Sequence, residues 1–237
     1  MECVEFKLNG NISAAEHILD KHTEIIVLSH GLGGSGGTIY SFYEYFDSKN
    51  KGVFSFDYPC HGYRKEEYTY FTVDNCLKTL DEVVKYLARK YPDKKISFLA
   101  TSMGSLYLYK YLMDERSNVN KVLFKCIPFN NKESMSKLFL DGETDYFIID
   151  GGFKVPKKLI DDLDQLEKSL DEIKYIDKNN ILFVHGTKDE IANVKYTRDF
   201  CKKYDYNLKE IEGANHNFKL NNTKPVLLDI THDFLGN

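Results

Sequence analysis

The sequence predicts an α/β fold with a mostly parallel central sheet and helices on both of its faces. Apolar, β-branched runs of strand length alternate with amphipathic stretches of helix length along nearly the whole chain. Glu24–Ser29 and residues 96–100 carry almost no charge, which is typical of strands covered on both sides. Parallel strands need crossover connections, and functional residues then gather where the strands end.

The predicted elements begin with an edge strand over Val4–Leu8, where apolar and polar residues alternate. Asn9-Gly10 favours a hairpin turn, so residues 12–18 are expected to return beside this strand. The expected elements after Glu24–Ser29 are, in chain order, a helix from Thr38, a strand over 53–58, a helix over 72–91, a strand over 96–100, a helix to 113, strands over 121–127 and 181–185, a helix over 193–204, a strand over 208–211 and a helix over 223–235.

Residues 128–180 interrupt this alternation between two strands that are expected to be close neighbours. Their apolar residues recur at helical spacing in the second half, and an aromatic and glycine cluster precedes them. We therefore predict a core formed by residues 1–127 and 181–237, and a helical cap over residues 128–180. An insertion at the strand ends would cover the functional site like a lid.

The bulk composition excludes several classes of protein. The 237 residues are 42% hydrophobic and 29% charged, with a formal net charge of −4 and no basic stripe, which argues against nucleic-acid binding. The five cysteines form no C-x-x-C pair, so neither a zinc ribbon nor a disulfide framework is indicated, and no metal or cofactor is expected. With no signal-peptide pattern and no apolar stretch of membrane-spanning length, we expect a cytoplasmic protein.

Ser102 lies between a predicted strand and a predicted helix, flanked by small residues. Ala100 stands two positions before it and Gly104 two positions after it. This is the pattern of a nucleophile elbow, a tight turn that lifts a serine above its own backbone. The pattern departs from G-x-S-x-G in having alanine at the first glycine position.

Two further residues follow predicted strands at positions that suit a serine nucleophile. Asp189 comes after the strand over 181–185, where its carboxylate can orient an imidazole. His216 comes after the last strand and can act as a general base. The order Ser, Asp, His is the order expected of the α/β-hydrolase arrangement.

The chain resembles a small α/β-hydrolase with a cap, and it is most similar to the branch of serine esterases, monoacylglycerol lipases and serine aminopeptidases. The matching motifs extend over about residues 25–235: they are His30-Gly31, Asp57-x-x-x-His61-Gly62, Ala100-x-Ser102-x-Gly104, His185-Gly186-x-x-Asp189 and Gly213-x-x-His216-x-Phe218. The departures are Ala100 and Cys60, which replace glycines.

The resemblance implies hydrolysis of carboxylic esters with apolar acyl or aryl groups through an acyl-enzyme on Ser102. His216 would be the base, Asp189 would hold His216, and the backbone N–H groups of Leu32 and Met103 would bind the oxyanion. The expected partner is a small-molecule ester. An acyltransferase, a thioesterase, a peptidase or a non-catalytic binding module with the same fold remain alternatives.

Other residues admit competing interpretations. Glu190 could replace Asp189 as the acid, and Asp57 could serve from a neighbouring strand end, although we interpret it as a turn-former. The glycine-rich loop over residues 31–37 loosely imitates a dinucleotide-binding loop, but that interpretation leaves Ser102 and His216 unexplained. His30 and His185 are interpreted as structural residues.

Overall fold

The computed structural model describes residues 3–114 and 119–237. The strands in these ranges are β1 (Val4–Leu8), β2 (Ile12–His17), β3 (Glu24–Ser29), β4 (Lys51–Phe56), β5 (Lys95–Thr101), β6 (Val119–Lys125), β7 (Asp141–Gly142), β8 (Tyr146–Ile149), β9 (Phe153–Pro156), β10 (Ile181–Gly186) and β11 (Asn207–Ile211). The α-helices are α1 (Tyr43–Ser48), α2 (Val73–Lys90), α3 (Met103–Asp114), α4 (Asn131–Ser136), α5 (Lys157–Lys168), α6 (Val194–Tyr204) and α7 (Thr223–Gly236).

Eight strands form the central sheet in the order β1-β2-β4-β3-β5-β6-β10-β11. β2 runs antiparallel to both β1 and β4, and the pairings from β4 to β11 are parallel. This mostly parallel sheet with flanking helices confirms the predicted fold class. The parallel strands end at one edge, where β3, β5, β6 and β10 deliver their following loops.

The amino-terminal hairpin forms as predicted. Asn9 and Gly10 both have positive φ values, 49° and 81°, as a tight hairpin turn of this type requires. The predicted helix from Thr38 is only partly correct, because a 3₁₀ helix over Gly36–Ser41 precedes α1. This segment opens with glycines, which have a low propensity for the α-helix. This explains why its first turns are 3₁₀.

Two apolar layers hold the helices against the sheet. Leu80 of α2 and Leu106 of α3 are fully buried on one face, and Phe46 of α1 and Leu235 of α7 are fully buried on the other. Burial of each such side chain stabilises the fold by about 1.5–3 kcal/mol. Across residues 3–114 and 119–237, no helix is both long and apolar enough to span a membrane.

The segment over residues 128–180 is not purely helical, which corrects the predicted helical cap. Between α4 and α5 it contains a three-stranded antiparallel sheet in the order β7-β8-β9. The helical spacing of apolar residues continues to Ile176, but α5 ends at Lys168. Ile173 is nevertheless buried, and its backbone N–H donates to the Tyr206 hydroxyl at 2.8 Å. The apolar residues after α5 are therefore buried, as their spacing indicated, but they are not in a helix.

Candidate active site

Ser102 lies in the turn between β5 and α3 with φ of 52°, in the left-handed region that non-glycine residues seldom adopt. Its backbone N–H donates to the carbonyl of Lys125 at 2.8 Å. Gly104 makes the turn possible, since a Cβ there would lie 2.3 Å from the carbonyl oxygen of His30. Ala100 is fully buried, so the turn accommodates the methyl group that departs from the expected motif. These features are those of a nucleophile elbow.

The structure brings Ser102, His216 and Asp189 into one hydrogen-bonded chain. His216 Nε2 lies 3.0 Å from Ser102 Oγ, and His216 Nδ1 lies 2.8 Å from Asp189 Oδ2. The carboxylate can only accept, so Nδ1 carries a proton and Nε2 accepts from the serine hydroxyl. This tautomer is the one that a general base needs.

Both carboxylate oxygens of Asp189 accept hydrogen bonds. Oδ1 accepts from the backbone N–H groups of Ile191 and Ala192, at 3.0 and 2.8 Å, and its side chain is fully buried. Burial alone would raise the pKa of Asp189, but the hydrogen bonds from His185 and His216 outweigh it and hold the pKa well below its usual value. The Asp189 carboxylate is therefore charged at neutral pH.

Two other histidines at strand ends hold loops, as their positions suggested. His30 Nδ1 donates to the Gly31 carbonyl at 2.8 Å, and His30 Nε2 accepts from the Tyr58 N–H at 3.0 Å. Burial lowers the pKa of His30 to about 4. Burial also lowers the pKa of His61 to about 3, and the neighbouring His30 adds to that effect. Both rings are neutral at pH 7.

Asp57 bridges two loops and does not reach His216. Its carboxylate accepts from the backbone N–H groups of Gly36, at 2.7 Å, and Tyr63, at 2.9 Å. A Cβ on Gly62 would overlap this carboxylate, which explains the glycine there. In a dinucleotide-binding fold, an acidic residue at this position would bind the ribose. The Asp57 carboxylate is instead hydrogen-bonded to Gly36. Glu190 is exposed, and Asp189 makes the contact with His216.

A cavity of about 520 Å³ opens beside Ser102 and His216. Its lining is mostly apolar and comes from the central sheet, α7 and the 128–180 segment. The apolar lining includes Leu28, Phe42, Leu99, Leu138, Ile149 and Leu227. A small organic molecule with an apolar body fits a cavity of this size and character.

The two predicted oxyanion donors come from two different loops at the strand ends. Met103 is the first residue of α3, where a helix leaves its N–H groups without intrahelical partners. Leu32 lines the cavity in the loop after β3. In the described parts of the chain, neither backbone N–H makes a hydrogen bond.

Two side-chain groups place possible metal ligands within reach of one another, namely His17 with His22 and Asp47, and Cys126 with His185 and Asp189. His22 Nδ1 accepts from the Leu19 N–H, so its Nε2 is protonated and offers no lone pair. His185 Nε2 donates to the Ala192 carbonyl, with the same consequence. Neither histidine can bind a metal ion without losing these hydrogen bonds.

The sequence reasoning missed Lys125 as a residue of the site. It is the last residue of β6 and lines the cavity with Ser102. The signal was available, because a lysine inside an otherwise apolar run of a buried strand is unusual. It was hidden by the neighbouring apolar residues, which were sufficient to predict the strand.

Several solved structures have the same arrangement of strands and helices as this chain. Est1E from Butyrivibrio proteoclasticus has a TM-score of 0.76 and 17% identity, over 98% of this chain and 97% of that one. Its complex with ferulic acid gives a TM-score of 0.74, with the same identity and coverage. Mouse alpha/beta hydrolase domain-containing protein 10 has a TM-score of 0.71 and 14% identity, over 99% and 98% of the two chains. The chain has the α/β-hydrolase fold.

The family follows from the sequence comparison. Residues 20–139, just over half of the chain, match the family described as serine aminopeptidase, S33. The chain belongs to this family, as its motifs suggested. No curated protein matches the chain significantly.

Proposed function

We propose that this protein is a serine hydrolase that cleaves carboxylic esters with apolar acyl or aryl groups through an acyl-enzyme on Ser102. The observation that carries the proposal is the chain of hydrogen bonds from Ser102 through His216 to Asp189 beside a mostly apolar cavity. A serine hydroxyl is a poor nucleophile at neutral pH, and an adjacent base of this kind activates it.

In the proposed reaction, Ser102 Oγ attacks the ester carbonyl while His216 Nε2 takes its proton. Asp189 stabilises the imidazolium that forms. The Leu32 and Met103 N–H groups donate to the oxyanion, and loss of one such donor typically costs about 10²- to 10³-fold in rate. His216 then protonates the departing alcohol, and a water molecule activated by the same ring releases the acid from Ser102.

We propose further that residues 128–180 form the cap, with residues 1–127 and 181–237 as the core. Leu138 and Ile149 of this segment line the cavity. Their side chains would contact the acyl or aryl group. That Est1E has been solved with ferulic acid bound supports an aryl substrate, because the two folds are similar over nearly their full lengths.

The family description favours a second candidate, an aminopeptidase on the same serine. An aminopeptidase must accommodate the ammonium group of a peptide amino terminus. Lys125, a cationic residue, lines the cavity, and the one acidic residue of the lining, Asp150, is exposed. Repulsion between two cations disfavours this substrate, so we place the ester reaction first.

The test compares esters with amides on one set of variants. We expect wild-type protein to hydrolyse p-nitrophenyl esters in a chain-length series, with a maximum set by the cavity, and to leave aminoacyl p-nitroanilides almost untouched. Ser102→Ala should abolish the ester activity without lowering the thermal midpoint. Maximal turnover of the aminoacyl amides with no ester turnover would establish the peptidase instead.

A further inference from the structure

Lys125 lines the cavity that holds Ser102. In the register of the parallel strands β5 and β6, Lys125 pairs with Thr101, so both side chains lie on the same face of the sheet. Both residues line the cavity. The Ser102 N–H is bonded to the Lys125 carbonyl, which fixes the two residues next to each other.

The ammonium group of Lys125 lacks an anionic partner. Among the residues that the structure describes, none forms a hydrogen bond or an ion pair with Lys125 Nζ. The ammonium group lies over the Phe218 ring, 5.5 Å from the ring centroid. A half-buried lysine without an ion pair is uncommon, because removal of its charge from water is costly.

The acidic groups around Lys125 are engaged elsewhere. Asp189 acts on Lys125 through space, but its carboxylate already accepts from Ile191, Ala192, His185 and His216. Asp150 is exposed on the cavity lining and accepts from the Gly151 N–H. Burial lowers the pKa of Lys125, and the opposing effects of Cys126 and Asp189 do not cancel this. An anion bound beside the ammonium group would stabilise its positive charge and offset the cost of its burial.

We propose that Lys125 is a specificity residue that binds a carboxylate carried by the ester substrate. The proposal rests on the hydrolase function of Ser102. One ammonium group balances one negative charge, which suits a single carboxylate better than a doubly charged phosphate. The preferred substrate therefore combines an apolar acyl or aryl body with one carboxylate near the scissile ester.

The experiment uses two matched pairs of esters, one with the carboxylate on the acyl part and one with it on the alcohol part. The first pair is p-nitrophenyl hydrogen adipate and its methyl ester, and the second is p-acetoxybenzoate and its methyl ester. We expect wild-type protein to prefer the anionic member of one pair. Lys125→Met should lower kcat/KM for that member by about 10- to 100-fold and leave the methyl ester nearly unchanged.

Two control variants separate a local contact from a general field. Lys125→Arg keeps the charge and should retain part of the preference. Lys224→Met removes an exposed lysine that also acts on Lys125 through space, and it should retain all of the preference. Equal turnover of both members by wild type, or equal loss of both in Lys125→Met, would overturn the assignment while the hydrolase function stands. If no ester of either pair is hydrolysed in a Ser102-dependent manner, both proposals fail.

Discussion

The loops at the strand ends and the 128–180 segment are built in different ways. At the strand ends, Asp189 has partners on both carboxylate oxygens, and Gly104 fits where no larger residue could. The 128–180 segment instead has a short exposed strand, β7, and Leu140 beside it is 72% exposed. Its Phe139 and Phe147 rings stack mainly on each other, with centroids 3.9 Å apart.

Buried apolar side chains, ring contacts and hydrogen bonds join the segment to the rest of the protein. The Phe153 ring lies 4.5 Å from the His61 ring, and the Tyr109 hydroxyl donates to the Asp171 carbonyl at 2.8 Å. This comparison indicates which part of the chain determines turnover and which determines selectivity. On the proposed function, the core holds the reacting atoms in place and the segment selects which substrates reach them. Changes at the strand ends should therefore affect turnover and folding, and changes in the segment should affect selectivity.

The largest expected effect comes from His216→Ala. Without the base, Ser102 is not activated, and kcat for p-nitrophenyl esters should fall by about 10⁴- to 10⁶-fold. The thermal midpoint, measured in parallel, shows separately how much stability is lost with the hydrogen bond from His216 to Asp189. A residual rate within tenfold of wild type would show that another residue supplies the base.

The second effect is a loss of stability in mild acid. His30 and His61 have pKa values of about 4 and about 3, below the ordinary value of 6.5. As pH falls below 6.5, the unfolded chain therefore binds protons that the folded protein does not. Each histidine should lower the free energy of unfolding by about 2 kcal/mol between pH 7.5 and pH 5.

Urea unfolding at the two pH values measures this loss, and His61→Gln should remove about half of it. A free energy of unfolding that is unchanged between pH 7.5 and pH 5 would contradict the neutral, buried state of both rings.

The third effect concerns the elbow. Gly104→Ala places a methyl group against the His30 carbonyl and should lower the free energy of unfolding by about 1–3 kcal/mol or more. Gly37→Ala is the matched control, since its Cβ would meet only the Ser35 hydroxyl, at 3.3 Å. Urea unfolding compares the two variants. If they lose the same stability, steric fit at the elbow is not the cause.

The smallest effect is expected in the 128–180 segment. Ile149→Ala enlarges the cavity and should lower kcat/KM for a medium-chain p-nitrophenyl ester by about 3- to 10-fold, with little change for the acetate. Ile148→Ala is the control, because the neighbouring residue points to the other face of β8. Equal loss for the acetate and the longer ester would place Ile149 in the reaction itself.

The core could be predicted from the sequence because its signals are local. β3 has the predicted bounds, because a continuous apolar run of this length is typical of a strand in the middle of a sheet. The positions of Ser102, Asp189 and His216 followed from strand ends and chain order, and the structure brings the three side chains together. Their catalytic roles remain predictions.

The 128–180 segment could not be predicted equally well. β7 has two residues and β8 has four, too few for an alternating pattern. Ile173 and Ile176 continue the helical spacing of α5, although contacts with the core bury them outside any helix. Lys125 was missed for a different reason, because the apolar residues around it were sufficient to predict the strand.

The central claim is that Ser102 is a nucleophile activated by His216. Labelling with a fluorophosphonate, followed by mass spectrometry of the modified peptide, tests it most directly. We expect one adduct per chain on Ser102 in the wild type, no adduct in Ser102→Ala and strongly slowed labelling in His216→Ala. An unlabelled wild type, or equal labelling of Ser102→Ala, would contradict it.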